Sequence, residues 1–488
     1  MKRKFNRRQF LATGTALGTV CAFPSPALIA RGANEVVRVG ILGTGMRFGE
    51  LHPGVLRATN AKLVALSDPD EARLGPQREK LGIEKAYTDL RKVLEDREID
   101  AVMVTTCNQW HCLAGIWAMQ AGKHVYVEKP LCLSFWEGEQ LVKAAKKYNR
   151  LCQIGHQLRT DPVFHPEVQK FLHEEKALGK IESVRVNRFA VRRSIGKRET
   201  PLEPPKTVDY HLWLGPSQDL PMYRTQFHYD WHWMWNTGNG ETGNWGSHLL
   251  DDCRNDLFQN RISLPKRILV SGGRVGLNDA GETPNMMVTY FDTGEIPVIL
   301  AISGLESKTQ RHFVGKCKGP GSGYVAYCEG GRYEKHWGGA FAYDNNGKEI
   351  RRFQGTSLIN GGYAHFQNFA DAIQAGDAAK LNAPIQVGYD SSCWYNAANF
   401  AWRLGQPFSK EEALSVPNTG KMPEILDSME EYLATQEIPM NGDHFKLSPM
   451  LELDAESYRF VGNFAQQANV LADMRPGRGE FVVPEITL

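Results

Sequence analysis

The chain has 488 residues, 42% of them hydrophobic and 23% charged, an ordinary balance for a soluble globular protein. That length suits about two to four domains with ample core. A formal net charge of +2 argues against nucleic-acid binding by bulk electrostatics, and nine scattered cysteines without a CxxC pair or zinc-ligand spacing argue against a structural metal.

Residues 1–33 read as a targeting segment. Lys2-Arg3-Lys4 is basic, Asn6-Arg7-Arg8-Gln9-Phe10-Leu11 carries paired arginines, and Ala12 to Phe23 is weakly apolar. The combination resembles a twin-arginine export signal, which delivers folded proteins, so a periplasmic or otherwise exported location is expected. Its apolar run is too short to span a membrane.

The first folded unit is expected over 34–156. Val36 to Leu42 predicts a buried strand, Gly43-Thr44-Gly45 a tight turn, and Met46 onward a helix reaching about Asn60. Ala61 to Leu66 predicts a second strand ending on Ser67-Asp68. Strand, glycine turn, helix, strand and terminal acid form a dinucleotide-binding pattern: Gly43 permits the turn, Gly45 lets amides approach a pyrophosphate, and Asp68 accepts from ribose hydroxyls. The third glycine of that pattern is replaced by Phe48. Asp68 favours NAD over NADP, because a carboxylate repels a 2′-phosphate; NADP stays open.

Helices follow at about 70–82 and from Tyr87-Thr88-Asp89-Leu90, with Thr88 or Asp89 as the cap of the second. Strands are predicted at Ala101–Val104, His124–Val127 and Leu151–Ile154, and helices at 113–121 and 136–148. Alternation at this spacing predicts a parallel, doubly wound sheet. Thr106, Asn108, His111 and Glu128 sit at strand ends, where open α/β sheets meet their ligands.

After residue 156 the pattern changes. A helix at 166–178 precedes strands at Ile181–Phe189, Arg267–Ser271, Met286–Phe291 and Val298–Ser303. Longer runs without regular helices predict a mainly antiparallel sheet in an α+β domain over 157–418. The fold class is therefore α/β, a doubly wound parallel sheet followed by an α+β domain with a mainly antiparallel sheet. Helices return at 363–375 and 391–404, and the extension 419–488 receives no role.

Glu128-Lys129-Pro130 ends the fourth strand of the first unit. A lysine there can bond a substrate hydroxyl, and burial beside a cationic ring favours its neutral form. Phe227 to Trp235 is unusually aromatic. In an extended chain Tyr229, Trp231, Trp233 and Trp235 share one face, which suits either a sugar subsite, with His232 as a polar neighbour, or packing. Tyr363, His365 and Asn368 begin a later helix, where capping and packing are the simpler reading.

The glycine turn, Asp68, Glu128-Lys129-Pro130 and Gly246-Ser247-His248-Leu249-Leu250-Asp251 together resemble the Gfo/Idh/MocA oxidoreductase family. The likeness covers roughly residues 36 to 405. It implies a Rossmann domain plus an α/β domain carrying the substrate site and often the oligomer contact, with NAD(P)-dependent hydride transfer on sugars and polyols. By position Lys129 matches the family's active-site lysine and His248 its general base or substrate ligand. The family usually has an aspartate four residues before that histidine. Here it is Asn244, which orients a hydroxyl but takes no proton, leaving His248 and Lys129 to handle protons. Asp251 is expected to orient the imidazole or line the pocket.

Three functions fit: an exported sugar oxidoreductase with tightly held cofactor, a redox-neutral glycosidase or lyase that oxidises, eliminates, hydrates and reduces, and a non-catalytic sugar-binding protein. The partners expected are a small carbohydrate and further copies of the chain, with no nucleic acid and no membrane span.

Overall fold

The computed structural model describes residues 36–161, 164–305, 319–355, 358–416, 419, 422–440 and 445–488. The expected export signal lies outside them.

Val37–Leu42 (β1) is buried at all but one position and is followed by the helix Met46–Arg57 (α1) and by Ala61–Ser67 (β2). Glu71–Leu81 (α2) begins at Asp70, whose carboxylate accepts from the Ala72 amide, and ends at Gly82 with φ 62°. Both ends thus carry a cap chemistry visible in the sequence. Lys85–Tyr87 (β3) is a three-residue edge strand that sequence reading passed over as too short for a pattern. Leu90–Glu95 (α3) is capped by Asp89, which decides between the two candidates.

Ala101–Val104 (β4), His111–Gln120 (α4), His124–Val127 (β5), Phe135–Lys147 (α5) and Cys152–Ile154 (β6) complete the unit. The six strands are parallel in the order β3-β2-β1-β4-β5-β6. The order reverses between β1 and β4, so a crevice opens at their C-terminal ends.

The predicted helix at 166–178 starts earlier, at Phe164–Gln169 (α6), and widens into a π turn at Lys170–Glu174. Ile181–Phe189 (β7) leads to Tyr210–Leu214 (α7), Gly240–Asn244 (α8) and Gly246–Phe258 (α9). Arg267–Gly273 (β8), Met286–Asp292 (β9) and Val298–Ser303 (β10) follow. Four further strands were not anticipated: Ser322–Cys328 (β11), Gly331–His336 (β12), Gly339–Asp344 (β13) and Glu349–Gln354 (β14). Their apolar face rests on sparse residues such as Tyr324, Tyr333, Ala342 and Phe353, too few to show a run. In the large sheet only β7 and β10 pair in parallel, among the named strands; the other neighbours are antiparallel.

The chain then returns to the first unit. Leu358–Ala375 (α10) places Phe366 and Phe369 in one core with Val39, Ile41, Leu66 and Tyr126 of the parallel sheet. Ile385–Leu404 (α11) is buried along almost its whole length, and its Trp394 meets Phe258 and Phe291. Burial on all sides marks a central helix, here tying the two sheets together.

Lys410–Ser415 (α12) and Met422–Ala434 (α13) cover the outer face of the large sheet, with Met422, Leu426, Met429 and Leu433 against Val288, Tyr290 and Ile299. Residues after 474 run back to the nucleotide unit: the Ser134 hydroxyl donates to the Met474 carbonyl at 2.8 Å, and the Ile486 amide to Gln140 at 2.7 Å. Among the described residues no helix is long and apolar enough to cross a membrane.

Candidate active site

One cavity of about 860 Å³ runs from the β1 turn to the inner face of the large sheet. Its first end is built from backbone. Gly43 has φ 95°, and a Cβ there would lie 2.8 Å from the Thr105 carbonyl oxygen. Only glycine fits such a turn. The Thr44 amide and hydroxyl donate to one Asp68 oxygen at 2.7 and 3.2 Å, and the Asp70 amide to the other at 2.9 Å. Burial raises the Asp68 pKa, and these donors oppose the rise. The carboxylate therefore first fixes the turn, and its remaining lone pairs face the cavity.

Gly45 caps α1 with no side-chain hydrogen bond, leaving first-turn amides for a ligand anion. Phe48, the departure from the glycine pattern, points into the core with Leu51 and Val55 and leaves the cavity clear. Thr106 Oγ1 is buried with no partner in the protein. A glycine cradle, free helix amides and an orphaned hydroxyl on one wall fit a dinucleotide.

The segment 201–240 roofs this end. The Glu71 amide donates to the Thr207 carbonyl at 3.0 Å and the Asp209 amide to Pro69 at 2.8 Å, while His228 Nε2 lies 2.8 Å from Asp70 Oδ2. Leu212, Trp213 and His228 line the cavity. The C-terminal tail latches the roof from outside. Arg478 donates to the carbonyls of His211, Gly215 and Ser217 at 2.7, 3.1 and 3.1 Å. Glu480 pairs with His211 at 3.0 Å.

The other end is built from side chains. Lys129 Nζ donates to the Asn244 carbonyl at 2.6 Å and approaches its side-chain oxygen at 3.4 Å. Burial, together with the charge of Arg47, lowers its pKa to about 8. Arg47 itself pairs with buried Glu128 at 3.0 Å. Burial, Lys129 and His156 hold the His248 pKa well below the usual imidazole value, so the ring is neutral, and its Nδ1 has no partner. A poised amine and a neutral imidazole share one wall. Such a pair can take a proton from a hydroxyl and bond the oxygen left behind.

Of the residues predicted for the site, Gly43, Gly45, Met46, Asp68, Thr106, Asn108, His111, Glu128, Lys129, Trp231, His232, Asn244 and His248 line this cavity. His111 is also a brace, its ring nitrogens 2.7 and 3.2 Å from the Pro130 and Thr106 carbonyls.

Two expectations are corrected. Trp233 does not line the cavity; it stands behind Arg192, whose guanidinium lies 5.5 Å from the ring centroid. The chain there is not extended, because Asp230–Trp233 coils into a 3-10 turn after Tyr229, which has φ 67°. Asp251 neither lines the cavity nor bonds His248. Arg159 and Ser391 donate to its carboxylate, and His156 Nδ1 lies 3.0 Å away. Of the later helix, Tyr363 lines the cavity, whereas His365 bonds Thr160 and the Ile154 carbonyl.

Sequence reading missed Arg188, Arg192, Trp245 and Trp337, all on the cavity wall. Arg188 had a signal: it alternates in step with Val184 and Val186 of β7, whose side chains join the main core, so a charge sat on an inward face. A separate buried cluster, His165, Asp252 and Asp256, has ligand atoms within 4.8 Å of one another. Its charge is already countered: Asp256 raises the His165 pKa to about 9, and Lys335 lies 3.9 Å from Asp252.

A doubly wound parallel sheet whose glycine-turn cleft is completed by a large open sheet defines a two-part dinucleotide fold. A family model described as "Oxidoreductase family, NAD-binding Rossmann fold" matches residues 37–156, and one described as "Oxidoreductase family, C-terminal alpha/beta domain" matches 191–321. The chain belongs to the Gfo/Idh/MocA oxidoreductase family. It is 37% identical over 129 residues to a myo-inositol 2-dehydrogenase of Thermotoga maritima, covering 26% of this chain and 38% of that protein. It is 39% identical over 130 residues to a scyllo-inositol 2-dehydrogenase (NAD(+)) of Bacillus subtilis, with the same two coverages. The chain thus spans 38% of the length of these curated relatives. The fold is also that of an inositol dehydrogenase homolog from Azotobacter vinelandii, solved with NADH and myo-inositol: TM-score 0.54, 20% identity, 75% of this chain and 96% of that one.

Proposed function

We propose that this chain is an NAD(P)-dependent oxidoreductase that oxidises a hydroxyl of a sugar, sugar derivative or glycoside, and that it keeps its dinucleotide through many turnovers. The observation that carries this reading is the meeting, in one cavity, of the Gly43–Gly45 cradle with Lys129 and His248. When bound, the nicotinamide supplies the hydride acceptor. Lys129, with its pKa lowered to about 8, takes the hydroxyl proton, while Asn244 fixes the amine through its carbonyl and neutral His248 bonds the same oxygen.

Tight retention is supported by the roof over the nucleotide end and by the Arg478 latch. The paired arginines ahead of the fold support export of the loaded, folded protein. Asp68 supports NAD as the preferred dinucleotide. An enzyme that cannot exchange its cofactor needs its hydride returned on the spot. The same roof therefore favours a second reading, a redox-neutral cleavage of glycosides. Association with further copies remains part of the proposal.

The test is to incubate purified protein with sugars and with an aryl glycoside, adding no cofactor. Hydride exchange between two sugars without cleavage supports the oxidoreductase, and aglycone release with the cofactor back as NAD+ supports the glycosidase. If neither occurs and no dinucleotide copurifies, the sugar-binding reading stands and the proposal falls.

A further inference from the structure

The substrate end of the cavity has a charge arrangement that a neutral sugar leaves unused. Arg188 lies on the inner face of β7 and is held in three ways. Its Nε donates to Glu241 at 2.7 Å, its Nη1 to the Ser322 hydroxyl at 2.6 Å, and its guanidinium stacks 4.0 Å from the Trp245 ring centroid. The remaining terminal nitrogen has no hydrogen-bond partner among the described residues. Arg192, just past the end of β7, donates to Glu241 from Nε at 2.9 Å and from Nη2 at 2.8 Å. Among the described residues its third nitrogen has only the Tyr229 hydroxyl, at 3.4 Å. Both arginines line the cavity.

The charges do not cancel. Two guanidinium groups and Lys129 face this end; of the buried carboxylates near them among the described residues, Glu241 is shared by both arginines. Glu128 is paired with Arg47, and Glu50, also paired with Arg47, is more than half exposed at the rim. The imidazoles add no negative charge. A positive excess with free guanidinium N–H groups is complementary to an anion. Beside Arg188, Trp245 and Trp337 form an aromatic corner, with ring centroids 5.1 Å apart at 57°. Such a surface suits the apolar face of a sugar ring.

We infer that the substrate is an anionic sugar, its ring lying against Trp245 and Trp337 and its carboxylate or sulfate ester bonded by Arg188 and Arg192. The inference rests on the oxidoreductase reading for its chemistry, but the anion site stands on geometry alone. Glu241 acts as the positioning residue, holding both forks so that one N–H edge of each stays toward the cavity. A fork fixed by stacking and by two hydrogen bonds loses little freedom when it binds, so discrimination against neutral partners is large.

The experiment uses the full chain as purified and three matched sets: a hexuronic acid, the 6-O-sulfated hexose and the neutral hexose. Equilibrium binding is read by quenching of tryptophan fluorescence, and reduction of the bound nicotinamide by absorbance. The expected result is about tenfold or more tighter binding of one anionic member than of the neutral one. That preference should weaken with added salt and vanish in Arg188→Met, with the cofactor content unchanged. Preference for the acid over the sulfate, or the reverse, identifies the source of the anion. Equal or tighter binding of the neutral hexose, or an anion preference that survives in both Arg188→Met and Arg192→Met, overturns the inference. Anion-selective binding without nicotinamide reduction by any sugar would leave the anion site standing and would count against the oxidoreductase reading instead.

Discussion

The two ends of the cavity are built on different principles. The nucleotide end is largely a local structure: β1, its turn, α1 and β2 occupy consecutive residues, and its polar atoms are the amides of that turn and Asp68, joined by the Thr106 hydroxyl after β4. The substrate end is assembled from distant parts, with Lys129 after β5, Arg188 on β7, His248 on α9 and Trp337 after β12. The first end is nearly self-sufficient and binds with backbone. The second depends on correct docking of two sheets and leaves side-chain groups unpartnered for a ligand. A change at the first end should empty the cavity, whereas a change at the second should leave the dinucleotide in place and stop or redirect the chemistry.

The largest expected effect is at Lys129. Lys129→Met should slow reduction of the bound nicotinamide by roughly a thousandfold, the scale of a lost acid–base group, with dinucleotide content as in the wild type. Wild-type-like single-turnover rates would remove Lys129 from its role. The pH profile follows from the same group. Its pKa is lowered to about 8, and the proton-accepting form is the neutral amine. Sugar oxidation should therefore fall about tenfold per pH unit below that value and level off above it. His248, neutral across the range, should contribute no second inflection near pH 6.5.

At the other end, Gly43→Ala forces a side chain onto φ 95° and against the Thr105 carbonyl. A cost of about 2 kcal/mol is expected, seen as a lower melting temperature and as protein purified with little dinucleotide. Full occupancy in that variant would contradict the cradle. The smallest effect tests the latch. Arg478→Ala removes the hydrogen bonds to His211, Gly215 and Ser217 and should speed release of the dinucleotide about tenfold, measured by chasing with a labelled one. Initial rates with saturating added cofactor should hardly change.

The same contrast explains what the sequence made legible. Apart from the short edge strand β3, the parallel sheet could be read strand by strand, because each longer βα unit carries its own apolar run, cap and turn. Asp70, Asp89, Ser134 and Gly82 announce their helix ends directly. Even Phe48 has a simple resolution, since its ring lies on the core side of α1. Long-range assembly was not legible. Nothing local says that α10 returns to the parallel sheet, that the tail latches the roof, or that Arg188 and Arg192 share Glu241. The aromatic run misled for a conformational reason: alternation implies one face only in an extended chain, and Tyr229 turns the backbone into a coil. Asp251 misled because spacing on α9 cannot reveal that Arg159 and Ser391 already hold it.

Everything proposed for this protein depends on a nicotinamide dinucleotide held beside Lys129 and used in place. The most direct measurement is mass spectrometry of the nucleotide released on denaturing purified full-length protein, before and after exposure to the anionic sugar. The expected result is close to one NAD per chain, converted to NADH by the sugar in the wild type and left oxidised in Lys129→Met. Protein that carries no dinucleotide and takes up none when it is supplied would contradict it.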